Sequence, residues 1–101
     1  MFLNNYVSDM YLDMIYSNYN NDYLDSLDEN NFIEIYNLFK KYNFYFINDI
    51  ILNYLEIFEM SYEDVDIGIN VLKSKLGDNF VYIIGNDMTY LDEIISINDK
   101  E

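Results

Sequence analysis

No proline interrupts this chain, and glycine stands only at positions 68, 77 and 85. Those two residue types are the strongest breakers of a helix, so a sequence nearly free of them meets few obstacles to helix over most of its length. Leu, Ile, Met, Tyr and Phe then recur at steps of three and four, the spacing that gives a helix an apolar stripe. These features predict an all-α fold: a compact bundle of about five helices, with a short strand or short helix at 79-84, in a single acidic helical domain spanning residues 1-101.

The opening MFLNNYVSDMYLDMIYSNY is expected to form one helix. Its inner face would carry Leu3, Tyr6 or Val7, Met10, Met14 and Tyr11, with Asp9 and Asp13 four apart on another face. SNYNNDYLDSLDENN then loses periodicity and suits a turn or a short helix around Tyr23, Leu24 and Leu27. A helix starting near Asp28 would turn Phe32, Ile35, Leu38 or Phe39 and Tyr42 inward, with Ile33 and Tyr36 widening the stripe. Lys40 and Lys41 fall in its last turn, where positive charge complements the helix dipole. FINDIILNYLEIFEM carries the longest apolar face and is expected to be the central, most buried helix.

The stretch SYEDVDIGIN, from Ser61 to Asn70, crowds carboxylates ahead of a glycine and invites comparison with a calcium loop. Counting from Asp64, the fifth position is Gly68, the sixth is Ile69 rather than Gly, and the twelfth is Lys75, which would repel the ion. A helix start explains the same letters: Ser61 caps, Glu63 and Asp64 occupy the positive first turn, and Met60 and Val65 stand at the hydrophobic-staple positions. Val65, Ile69, Leu72 and Leu76 then face inward, and Lys73 and Lys75 before Gly77 mark the end. Phe80 to Ile84 is too short a run for periodicity to separate a helix capped by Asp78 from a strand. A lone strand has no evident partner here, so helix is preferred, with Gly85 ending it. The last helix is expected to open at Thr89, with Leu91, Ile94 and Ile95 inward.

Chemistry is constrained mostly by what is missing. The chain has no His and no Cys, which removes the usual neutral-pH base, the commonest zinc ligand and any thiol nucleophile. The serines therefore have no histidine for a Ser-His-Asp arrangement, and the isolated glycines make no phosphate cradle. No catalytic residue, cofactor or metal is expected, and the chain is not expected to be an enzyme. Nothing resembles a basic region followed by an apolar run, and no apolar stretch approaches a membrane span, so a cytoplasmic location is expected.

The charge balance is the positive clue. Nineteen acids against five Lys or Arg give a net charge of -14. Direct binding of nucleic acid or of an anionic membrane is disfavoured, and a basic protein is the natural partner. Apolar residues make up 51% and aromatics 19%, with 12 Tyr, a payload that disordered acidic tails lack. Carboxylates mounted on rigid helices can imitate the phosphates of a nucleic acid, and exposed tyrosines among them add interface area. The residues expected to contact a partner are Asp9, Asp13, Tyr45, Asp49, Glu56, Glu59, Tyr62, Glu63 and Asp66. Tyr11, Tyr16, Tyr19, Tyr23 and Tyr90 are further candidates for surface positions. Two kinds of acidic helical blocker share this size and charge. One is a nucleic-acid (DNA) mimic carried by a phage or mobile element as an anti-defence inhibitor; the other is an immunity protein for a basic toxin. A structural homo-oligomeric subunit, a homodimer joined through Phe44 to Phe46 or the first helix, is a third reading.

Overall fold

The computed structural model describes residues 1–99, and every regular element among them is helical. Seven α-helices run in order: α1 (Asp9–Asn18), α2 (Asn21–Asp25), α3 (Glu29–Lys41), α4 (Ile47–Asn53), α5 (Tyr62–Leu76), α6 (Phe80–Asn86) and α7 (Asp92–Asp99). Three 3-10 turns, Phe2–Asn5, Leu55–Glu59 and Met88–Leu91, join them. The fold is all-α, and the run expected as a short helix or strand at 79-84 is helical from Phe80 onward.

Local sequence sets most of the boundaries. Asn20, Asp28 and Ser61 each offer a side-chain oxygen to a backbone N–H of the first turn: Asp22 N at 2.7 Å, Asn31 N at 3.0 Å and Asp64 N at 3.2 Å. Each bond satisfies a donor that the helix cannot. At the far end of α5, Gly77 takes φ 82 and ψ -163, a positive-φ conformation essentially open to glycine alone. The end of α3 uses asparagine instead. Asn43 takes φ 66, its N–H donates to Lys40 O at 2.9 Å, and the Phe44 N–H reaches back to Phe39 O at 3.0 Å. That pair of bonds is a Schellman closure, and its usual apolar contact is the Phe39–Phe44 ring pair at 5.0 Å.

A single core links the elements. Phe32, Phe39 and Phe58 sit at its centre, with Phe58 stacked on Phe32 at 4.8 Å and tilted against Phe39 at 5.7 Å. Ile50, Ile51, Leu55 and Ile57 fill one side, and Val65, Ile69, Leu72, Ile84, Leu91 and Ile94 the other. Helices α5 and α7 pack directly, and Gly68 is where they meet: a methyl group there would lie 2.8 Å from Ile94 Cγ1 and 3.2 Å from Ile94 Cα. The mid-helix glycine therefore serves a close approach of two helices, offsetting its propensity cost of about 1 kcal/mol.

Several expectations need correction. The first segment is not one helix: the chain leaves the Phe2–Asn5 turn, extends at Ser8 (φ -67, ψ 156), and restarts at Asp9. The restart resets the helical phase, so Leu12 and Ile15 point inward while Met10 and Met14 face solvent at 67% and 36% exposure. The central helix is also broken. Tyr54 (φ -136, ψ 41) ends α4 and turns the chain into the Leu55–Glu59 turn. The tighter turn brings Ile57 fully into the core beside Leu55 and Phe58, although it would sit at the margin of the stripe in a continuous helix. Asn31 fixes this arrangement from α3: its Nδ2 donates to Phe58 O at 2.7 Å and Met60 O at 2.9 Å.

The later caps shift too. Asn79, not Asp78, precedes α6, and it makes no side-chain cap bond. Gly85 lies inside α6, where it leaves room for the ring of Tyr45. Asp87 rather than Thr89 caps the last 3-10 turn, accepting from Thr89 N at 3.2 Å, and α7 begins only at Asp92. Phe44 and Phe46 are buried, so of the triplet expected to join two copies only Tyr45 reaches the surface.

Candidate interaction surface

A chain with nineteen acids and five Lys or Arg cannot give most of its carboxylates cationic partners. Tyrosine hydroxyls take that place. Tyr11 Oη donates to Asp49 Oδ1 at 2.7 Å, Tyr23 Oη to Glu59 Oε2 at 2.6 Å, and Tyr42 Oη to Asp66 Oδ1 at 2.7 Å. Asn70 Nδ2 completes the last group by donating to Tyr42 Oη at 3.1 Å. Each pair ties two elements: α1 to α4, α2 to the Leu55–Glu59 turn, and α3 to α5. Charge-assisted bonds of this kind are short and stronger than neutral ones. They also hold the phenols protonated. The hydrogen bond to Asp49 raises the Tyr11 pKa and that to Asp66 raises the Tyr42 pKa, each with help from desolvation. Burial, then Glu59, raises that of Tyr23. Burial leads for Tyr19 and Tyr54 as well.

The residues expected to contact a partner do not converge on one spot. Asp9 and Asp13 are exposed one turn apart on α1. Asp49, Glu59 and Asp66 are the tyrosine-bound acceptors just described. Tyr62 and Glu63, in the first turn of α5, join Glu34 and Asn37 of α3 around an open depression. Tyr45 stands apart from these, against α6 at Gly85. Four acids of the Leu55–Glu59 turn, the cap of the last 3-10 turn and the start of α7 act on a shared group of phenols. Glu56 bears on the phenols of Tyr19, Tyr23 and Tyr54, Glu59 bears on Tyr23, and Asp87 and Asp92 also bear on Tyr54. Asp87 and Asp92 were not among the expected contacts, because sequence spacing cannot bring residues so far along the chain beside Glu56.

The tyrosines divide by role. Tyr16, Tyr45 and Tyr62 are exposed, as expected; Tyr11, Tyr19, Tyr23 and Tyr90 are half-buried instead. Tyr82 was missed and is 66% exposed, close to the 69% of Tyr45. The signal was present: two residues advance a helix by 200°, so a helix that buries Phe80 and Ile84 must turn Tyr82 outward. Ile67 and Val71, four apart on α5, are also exposed.

None of the described polar or charged side chains is buried, so the negative charge is presented wholly or partly to solvent. Among the described residues the one ion pair is Lys75 Nζ to Glu93 Oε2 at 3.0 Å, and no three acids approach closely enough to hold a metal ion. Lys40 and Lys41 lie over the rings of Tyr36 and Tyr42, 5.6 and 6.0 Å from their centroids. The molecule has a tyrosine-rich surface, and among the described residues no helix is long and apolar enough to cross a membrane. No family model, curated protein or solved structure matches the chain.

Proposed function

We propose that the protein is a non-catalytic inhibitory binding protein whose acidic, tyrosine-bearing helices imitate a nucleic acid and occupy the basic channel of a nucleic-acid-binding or defence enzyme. The observation that carries this reading is the outward, uncompensated charge: no described acid is buried and only Glu93 has a cationic partner among the described residues. Its density supports the reading. The molecule is 36 Å in its longest dimension, a length over which duplex DNA carries about twenty phosphates. A net charge of -14 comes within a factor of about two of that value. The Tyr–carboxylate pairs add a second feature, since they hold Asp49, Glu59 and Asp66 in fixed places and reduce the side-chain entropy lost on binding.

The test is competition at the partner. Once a basic enzyme is captured, its complex with this protein is expected to weaken steeply with added salt and to be displaced by that enzyme's DNA or RNA. Neutralising the acids gathered around Tyr19, Tyr23 and Tyr54 (Glu56→Gln, Glu59→Gln, Asp92→Asn) is expected to weaken binding more than three neutralisations elsewhere on the surface. Simultaneous binding of nucleic acid and inhibitor with unchanged affinities would rule mimicry out.

A further inference from the structure

Tyr45 is an exposed aromatic held in a made seat. Its ring lies against α6 at Gly85, where a methyl group would collide with the Tyr45 hydroxyl and sit 3.1 Å from both Tyr45 Cζ and Phe46 Cε1. On its other flank the Phe46 ring meets it edge-on, at 4.9 Å and 78°. Yet 69% of the residue stays accessible. Tyr82 lies three residues before Gly85, on the same side of α6, and is itself exposed. Neither hydroxyl hydrogen-bonds to another of the described residues, unlike those of Tyr11, Tyr19, Tyr23 and Tyr42. Helix α6 carries no charge of its own and is bracketed by Asp78 and Asp87.

The chain itself indicates what such rings hold. It lays Lys40 over Tyr36 and Lys41 over Tyr42, while among the described residues no cation covers Tyr45 or Tyr82. A partner complementary to a charge of -14 is rich in Lys and Arg. Of the two, Arg stacks its planar guanidinium on tyrosine faces and sheds water more readily. We infer that Tyr45, seated on Gly85, and Tyr82 on the same side of α6 form an aromatic anchor for an arginine-bearing segment of the basic partner. This rests on the acidic-surface reading above and adds to it a preference for Arg over Lys that charge alone cannot produce.

Two short flexible peptides of equal length and charge, one built on Arg and one on Lys, separate the two ideas by calorimetry at moderate salt. The wild-type protein is expected to bind the Arg peptide about fivefold more tightly or better, as two exposed cation–π contacts allow. Tyr45→Ala with Tyr82→Ala is expected to remove that preference, weakening the Arg peptide more than the Lys peptide. Tyr82→Ala alone, at a site exposed enough to leave the fold intact, is expected to remove part of it. Gly85→Ala, which unseats Tyr45, is expected to act in the same direction. Equal affinity for both peptides in the wild type, or a preference that survives the double substitution, overturns the anchor and leaves the acidic surface standing. Failure of both peptides to bind overturns the acidic-surface reading itself.

Discussion

At the residue scale, this protein uses tyrosine where others use arginine. A phenol that donates to a carboxylate contributes only while it keeps its proton, and this sets a direction with pH. The carboxylate-bound Tyr11, Tyr23 and Tyr42, and Tyr19 and Tyr54, which are raised first by burial, all have folded pKa values above the ordinary 10.0. Their contribution is therefore complete below pH 10 and is lost as pH rises through the raised folded values. Denaturation midpoints are expected to stay level on approaching pH 10 from below and to fall beyond it. Tyrosinate absorbance of the folded protein should lag behind that of the unfolded chain over the same window. Tyr42→Phe, which removes the donor to Asp66 but keeps the ring, is expected to cost about 1 kcal/mol or less because the pair still reaches water. A native titration that superimposes on the unfolded one would show that these bonds do not hold the phenols protonated. The abundance of Tyr invited an interface reading from sequence. Half of that reading fails at Tyr11 and Tyr23, because which carboxylate lies across from a phenol is decided by elements that meet only after folding.

At the element scale, the closest fit is the crossing of α5 and α7. Gly68→Ala has two opposing effects. Helix propensity favours Ala by about 1 kcal/mol, whereas the added methyl meets Ile94 Cγ1 at 2.8 Å and Ile94 Cα at 3.2 Å. The second contact is backbone and cannot rotate away, so overpacking is expected to win, with a net loss of about 1–2 kcal/mol in chemical denaturation. Ile94→Ala in the same molecule relieves the Cγ1 contact, so the double mutant should lose less than the sum of the two single changes. A stabilised Gly68→Ala protein would mean that the helices separate at no cost. Helix α5 was also the most legible element: Ser61, Gly77 and the inward Val65, Ile69 and Leu72 are all local signals, and the structure follows them. The breaks at Ser8 and Tyr54 were not legible. Neither carries a proline or glycine, and the turn after Tyr54 is held by Asn31 reaching from α3 to the carbonyls of Phe58 and Met60. Once the break at Ser8 is missed, the inward assignments of Met10 and Met14 inherit the wrong phase.

At the scale of the whole molecule, the charge that suits a basic partner works against the free protein. A net -14 on a body of 36 × 30 × 21 Å, with one ion pair among the described residues, places like charges within one another's reach at low salt. The Debye length is about 10 Å at 0.1 M salt and about 3 Å at 1 M, so added salt screens repulsion between neighbouring helices. The free protein is therefore expected to melt higher as an indifferent salt is raised. A gain of about 1 kcal/mol would correspond to roughly 4–8 °C for a domain of this size. The complex should move the opposite way, since the same screening weakens attraction to a basic surface. Opposite slopes for melting temperature and affinity, measured in one salt series, are what a surface shaped for a polycationic site requires. If melting instead falls or stays flat with salt, the carboxylates are compensated within the free protein, and Glu56, Asp87 and Asp92 do not form the uncompensated field that mimicry needs.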